Sequence, residues 1–214
     1  MKRGKFITFE GGEGAGKSTQ VKLLIEYFSR VKVLALDTRE PGGTPSAEKI
    51  RGIILSKENE LGPLTEALLY CAARAEHVRK VIRPALENGV CVVCDRFSDS
   101  TLAYQSYGRN VPLKDVRRLS NTAAGGLKPD VTFFLDITPE DGFKRKGGAD
   151  FSDRMENAGL EFHKNVYRGF CELAAAEPAR IVRVDANRTP EEIHRDIVAI
   201  LKKRGYFKQV KGEK

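Results

Sequence analysis

Residues Gly11-Gly12-Glu13-Gly14-Ala15-Gly16-Lys17-Ser18-Thr19 satisfy the pattern G-x-x-x-x-G-K-[ST] without a mismatch. The chemistry this spacing offers is polyphosphate binding. Glycines let backbone N–H groups point inward around phosphate oxygens, and a following helix N-terminus adds its positive dipole end. Lys17 can reach the outer phosphates, and the Ser18 hydroxyl suits a place on Mg²⁺. The bland alternative is an ordinary Gly-rich turn. What separates the two is context, because a phosphate cradle needs a buried strand before it and a helix after it.

Both flanks are present. Lys5-Phe6-Ile7-Thr8-Phe9-Glu10 reads as a buried strand. Gln20 to Arg30 has helical periodicity, with Val21, Leu24, Ile25 and Phe28 on one face. The chain is therefore expected to bind a nucleoside triphosphate. Beyond this unit, strand and helix alternate. Strands are expected over 32–37, 89–94, 130–136 and 180–184, and helices over 45–56, 63–88, parts of 96–124, 139–177 and 190–204. Pro84 should bend or end the second of these helices, and Gly147-Gly148 should break the fourth. This order predicts an α/β fold, a doubly wound parallel five-stranded sheet flanked by helices, in a single P-loop domain spanning 1–214.

In an open parallel sheet, ligands sit beyond the carboxyl ends of the strands. Glu10 and the P-loop follow the first strand, Asp37 and Arg39-Glu40 the second, Asp95-Arg96 the third and Asp136 the fourth. Each alone reads as a solvated loop charge. Together they predict one charged crevice beside the P-loop. Arg39 and Arg96 each offer a planar fork for phosphate oxygens, which suits a second anion site facing the γ-phosphate. On the helix starting at 63, a stripe of Leu64, Leu68, Cys71, Ala72, Ala75, Val78 and Ile82 is expected to face the core. Tyr70, Arg74 and His77 flank it. They are either an incidental surface flank or a flat ring and a guanidinium for a planar ligand.

Bulk properties limit the alternatives. No apolar run approaches the ~20 residues of a membrane helix. The N-terminus enters strand and P-loop almost at once, so no secretory signal is expected and a cytoplasmic address follows. The net charge of +8 owes much to residues 202–214, where Lys202, Lys203, Arg204, Lys208, Lys211 and Lys214 face one acid, Glu213. That reads as a basic C-terminal tail from about 203, and no nucleic-acid-binding motif accompanies it. Cys91 and Cys94 form a C-x-x-C on a strand, where positions three apart point to opposite faces. Neither a disulfide nor a shared metal is expected of them. His77, His163 and His194 show no ligand spacing.

The ordered set of motifs resembles the thymidylate kinases, enzymes that phosphorylate dTMP with ATP. It comprises Glu10 to Thr19; Thr38-Arg39-Glu40-Pro41-Gly42-Gly43-Thr44; Tyr70-Cys71-Ala72-Ala73-Arg74; Asp95-Arg96-Phe97 with Ala103-Tyr104-Gln105; and Leu135-Asp136-Ile137-Thr138-Pro139-Glu140. The resemblance implies roles. Arg39 and Arg96 hold the acceptor phosphate. Tyr70 stacks on thymine, where the family usually has Phe. Arg74 bonds the base O4, and Ser100 and Thr101 lie near the base edge. Tyr104 lies against the deoxyribose C2′, and Glu13 approaches the 3′-OH. Asp95 orders the Mg²⁺ and phosphate site with Ser18. Arg109 is a weaker acceptor-side candidate. Asn187-Arg188-Thr189-Pro190 resembles the loop touching adenine. The resemblance also implies a homodimer.

One region departs from the family pattern. Relatives without an arginine in mid P-loop usually carry several in a lid after the fourth strand. Here the lid, at about 142–155, holds Arg145, Lys146 and Arg154 among glycines and an acid. Arg154 is the first choice for the cation on the moving phosphoryl group and Arg145 the second. Open alternatives are a kinase for a different nucleoside monophosphate, a P-loop switch or motor, and a catalytically idle nucleotide binder. The absence of a guanine-reading N-K-x-D disfavours the switch.

Overall fold

The computed structural model describes residues 3–147 and 154–207. Residues 148–153 of the lid and the end of the basic tail fall outside these residues. Five parallel strands form one sheet in the order β2-β3-β1-β4-β5. They are β1 (Phe6–Glu10), β2 (Ala35–Arg39), β3 (Cys91–Asp95), β4 (Val131–Asp136) and β5 (Ile181–Asp185). β1 is central and buried throughout. Its neighbours β3 and β4 come from later in the chain, so the crevice at its carboxyl end is a topological switch point.

Alternation on the strands divides the core. Ile7, Phe9, Val93 and Phe133 pack on one face with α1 (Lys17–Arg30) and α9 (Pro190–Lys203). On the other face Phe6, Val92 and Cys94 pack with Ile82 and Leu86, and Phe134 packs with α8 (Leu160–Ala176). Cys91 and Cys94 fall in opposite clusters, as strand geometry requires. Their thiols therefore lie on opposite sides of the sheet.

Three expected boundaries shift, each for a local reason. β2 starts at Ala35, three residues later than the apolar run. Residues 31–34 are used to close α1: Lys32 takes φ 57, Val33 N–H returns to the Phe28 carbonyl at 2.9 Å, and Leu34 is 73% exposed. The long helix after 63 is α3 (Pro63–His77), a π-helical turn (Val78–Ile82) and α4 (Arg83–Glu87). The wide turn precedes Pro84, which has no N–H and would crowd a regular turn before it. Between β3 and β4 lie α5 (Ser98–Thr101) and α6 (Leu113–Ala123); after β4, α7 (Pro139–Arg145) is short, and a 3₁₀ turn (Glu156–Ala158) precedes α8.

The fourth difference concerns function. Leu64 and Leu68 are 54% and 46% exposed, and Ala72 and Ala75 are exposed as well. The buried face of α3 instead carries Glu66, Ala67, Cys71, Ala73, Arg74 and His77. The apolar stripe expected in the core lies mostly on the surface, and much of the inward face is polar. α2 (Pro45–Leu55) packs beside α3 and adds Ile53, 46% exposed, to the apolar surface.

Candidate active site

Strand register brings the charged residues level. Arg39 pairs with Asp95, and Asp95 with Phe9, one residue before Glu10. The P-loop then turns over this edge. Gly14 sits at φ 69, and a Cβ there would lie 2.1 Å from the Gly142 carbonyl oxygen. A Cβ on Gly142 would in turn meet the Glu13 carbonyl at 2.2 Å. Two glycines thus let α7 rest directly on the P-loop. This contact sets Arg145 and Lys146, at the end of α7, over the phosphate side.

A cleft of about 870 Å³, open to solvent, runs from the loop across the strand ends. Glu13, Gly14, Ala15, Gly16, Lys17, Ser18, Arg39, Arg51, Asp95, Arg96, Arg145 and Lys146 line it. Gly11 and Gly12 shape the loop from behind, and their carbonyls accept the Lys17 ammonium at 3.2 and 2.7 Å. Burial pushes the Lys17 pKa down, and Arg96 adds to that, against Glu13 and Asp95. Ser18 is exposed and lines the same cleft as Asp95. Two hard oxygen donors beside a phosphate cradle fit Mg²⁺, which takes few protein ligands and completes its shell with water and phosphate. A third hollow, on the outer side of the loop, is lined by Gly14, Thr19, Arg145, Arg188 and Pro190. Arg188 is steadied by Asp196 at 2.7 Å.

The second cavity, of about 680 Å³ including space open to solvent, adjoins the first. Tyr70, Arg74, Ser100, Thr101, Tyr104, Glu13 and Arg96 all line it. Glu40, Arg51, Leu55, Phe97, Gln105 and Met155 also line it. Its mix of rings and fixed polar groups suits a nucleotide.

Glu13 and Arg96 form the partition between the two. Arg96 adopts φ 68, a costly conformation for arginine. Its surroundings over-determine it. The backbone N–H donates to the Phe9 carbonyl at 2.9 Å, and the guanidinium donates to Gly11 O, Ser100 Oγ and Glu13 Oε1 at 2.9, 3.2 and 2.6 Å. The guanidinium also lies over the Tyr104 ring at 5.1 Å. Glu13 accepts a further bond from the Tyr104 hydroxyl at 2.9 Å. Burial alone would raise the Glu13 carboxyl, but Arg96, Lys17 and Tyr104 outweigh it and hold it at about 2. Glu10 lies beneath and accepts from Phe97 N–H at 2.8 Å and the Ser100 hydroxyl at 2.5 Å. Burial, reinforced by Asp99, pushes its pKa up.

Arg74 is 2% exposed. Its Nε donates to Glu40 Oε2 at 2.7 Å, and its terminal nitrogens donate to Ser120 Oγ at 3.0 Å and Thr101 Oγ1 at 2.9 Å. Three of its five N–H donors are thereby assigned to protein partners, which leaves two. His77 bridges Glu40 Oε1 and the Thr38 hydroxyl at 3.1 and 2.7 Å. The flank of α3 is thus a buried hydrogen-bonded chain, with Tyr70 on the cavity wall.

Some expected residues stand elsewhere. Arg39 opens on the phosphate cleft and not the second cavity, held by the Pro41 carbonyl and Glu48 at 2.9 and 3.1 Å. Asp136 lines neither cavity; Arg183 and the Tyr167 hydroxyl hold it at the carboxyl end of β4, on the side toward β5. Arg154, the first choice for a phosphoryl contact, lines neither cleft. It donates to Glu66 and to the Ile54 carbonyl, the latter at 3.1 Å. Arg145, the second choice, lines the P-loop cleft. Arg109 also pairs with Glu66 and stacks on Phe162, 4.5 Å from the ring centroid. Arg51, Lys146 and Gln105 are wall residues to which the motifs gave no role, and Glu40, expected as a crevice charge, lines both cavities. An arginine one turn from the end of α2 carries no spacing signal.

Comparison with known proteins agrees with this geometry. The thymidylate kinase family model matches residues 9–197. The chain is 52% identical to the thymidylate kinase of Synechococcus sp. (strain JA-3-3Ab) over 199 residues, 93% of this chain and 96% of that protein. It is 47% identical to that of Chlorobaculum parvum, covering 91% of this chain and 94% of the relative. The thymidylate kinase of Symbiobacterium thermophilum is also 47% identical, over 90% of each. On the fold, the paired cavities and these matches, the chain belongs to the thymidylate kinase family.

Proposed function

We infer that the protein transfers the γ-phosphoryl group of ATP to dTMP, giving dTDP. The observation that carries this reading is the shared partition: Glu13 and Arg96 line both the P-loop cleft and the second cavity. Donor and acceptor phosphates can therefore meet at one guanidinium.

The acceptor phosphate has a second pKa near 6, so at neutral pH it is already an anionic nucleophile. No general base is required. The obstacle is the repulsion of two polyanions, and the chain answers it with Lys17, Arg39, Arg51, Arg96, Arg145 and Lys146 around one cleft. Ser18 and Asp95 would hold Mg²⁺, which would supply charge neutralisation for the phosphoryl transfer. Gly14 to Thr19 cradle the donor phosphates, and Arg188 borders the adenine side. Tyr70 stacks on thymine, and the two remaining Arg74 donors reach O4. Ser100 and Thr101 bound the base edge. Glu13, held ionised, accepts the 3′-OH, and Tyr104 crowds a 2′-hydroxyl.

A coupled ADP-release assay across dTMP, dUMP, UMP, dCMP and AMP tests the reading. Turnover should be highest with dTMP. ATP hydrolysis stimulated by nucleic acid and not by any monophosphate would refute it.

For the phosphoryl contact, we propose Arg145 ahead of Arg154. Arg145→Ala should lower kcat by about 100-fold, the scale of one lost donor at a developing charge. Arg154→Ala should leave kcat within a few-fold and act on the KM for dTMP. The reverse pattern, in steady-state kinetics on both variants, would restore the original order.

The exposed stripe of Leu64, Leu68, Ala72 and Ala75, with Ile53 beside it, is the face we propose for a second copy in a homodimer. Among the described residues no helix is long and apolar enough to cross a membrane. We propose a cytoplasmic protein whose ligands are ATP and dTMP, not nucleic acid or lipid.

A further inference from the structure

Glu66 is fully buried in the first turn of α3 and lies outside both cavities. Three donors from distant parts of the chain converge on it. Gln105 Nε2 and Arg109 Nε bond Oε1 at 2.9 and 3.3 Å, and Arg154 bonds Oε2. Arg109 continues to the Met155 sulfur at 3.7 Å, and the Arg154 backbone N–H donates to the Leu55 carbonyl at 3.2 Å. Gln105, Met155 and Leu55 all line the acceptor cavity.

A carboxylate only accepts, whereas a glutamine side chain has a donating end and an accepting end. The nitrogen end of Gln105 must therefore turn to Glu66, and the oxygen end is left for the cavity. This follows from the chemistry of the pair and not from which atom is drawn where.

We propose that Glu66 is a positioning residue for acceptor specificity: it fixes the sense of the Gln105 amide so that the cavity meets the base with a carbonyl oxygen. The proposal rests on dTMP as the acceptor and refines that reading. Thymine offers a ring N–H next to its C4 carbonyl. Cytosine offers a bare ring nitrogen next to an amine. A Gln105 acceptor together with an Arg74 donor suits the first edge and opposes the second at both points.

Glu66→Gln tests this, because a second amide no longer dictates which end of Gln105 it faces. The kcat/KM for dTMP should fall about tenfold, mainly through KM, while that for dCMP holds or rises. The dTMP to dCMP ratio should thus narrow at least tenfold with the KM for ATP unchanged. Glu66→Asp, which keeps an accept-only oxygen, should retain the ratio. In a Gln105→Leu background the ratio should already be narrow, and adding Glu66→Gln should narrow it no further. An equal loss for both nucleotides in Glu66→Gln would overturn the proposal and leave Glu66 a mere staple. If Glu66→Gln fails to fold, a Glu66→Asp ratio as wide as wild type supports the proposal, and a ratio unchanged in Gln105→Leu overturns it. A wild-type enzyme that does not prefer dTMP would refute the substrate reading instead.

Discussion

Lys17→Ala is expected to lower turnover of ATP and dTMP by about 10³-fold or more, with the protein still folded. The chemical half follows from position. Lys17 is the first residue of α1, in the wall of the phosphate cleft, and its ammonium is held by the Gly11 and Gly12 carbonyls. It stands where charge moves during transfer, and alanine offers nothing in its place. The folding half follows from the sign of its pKa shift. Burial depresses the Lys17 pKa, so the folded state holds this charge at a cost, and stability from this group rises as pH climbs and the proton leaves. Removing the ammonium removes that cost. It leaves the Gly12 carbonyl a donor short, while the Gly11 carbonyl keeps Arg96 at 2.9 Å. The two effects oppose, so the melting temperature should move by no more than a few degrees. A melt followed by circular dichroism and the coupled ADP assay decide both halves. Turnover within tenfold of wild type would remove Lys17 from the chemistry. A collapse of the melt would make it a scaffold residue.

The sequence carried the parts of the site that rest on backbone geometry. A glycine pattern between an apolar run and a helix specifies the P-loop whatever surrounds it, and Cys91 and Cys94 had to part because a strand alternates. Parallel order brought Arg39 and Asp95 level. What failed was the inference from periodicity to burial on α3. The rule assumes that the inward face is the apolar one. Here the inward face holds Glu66, Arg74 and His77, of which Arg74 lines the second cavity, and the apolar face is left outside. Period alone does not tell a core from a site. The same blindness hid Gly142, whose role is to let α7 touch the P-loop, and with it the placement of Arg145 in the wall of the P-loop cleft. Asp136 was credited with the crevice because it ends a strand, but Arg183 on the adjacent β5 claims it.

Arg74→Ala should cost stability as well as activity, and separating the two shows what the residue is for. Arg74 and Glu40 are 2% and 4% exposed and 2.7 Å apart. Breaking a buried pair from one side leaves the other charge uncompensated, at about 3–5 kcal/mol. For a domain of this size that lowers the melting temperature by about 10 °C. The kcat/KM for dTMP should fall in addition by about 1–3 kcal/mol, the cost of a base carbonyl left without its donor. The single variant confounds these losses. A double variant, Arg74→Met with Glu40→Gln, removes the stranded charge and should recover much of the denaturation midpoint. It should not recover the preference for dTMP over dCMP, because methionine cannot donate to O4. Equilibrium denaturation of the three proteins, with kcat/KM for both nucleotides, tests each step. Full stability in Arg74→Ala would show that the buried pair does not hold the fold. A double variant that regains selectivity would show that the base is read by another residue.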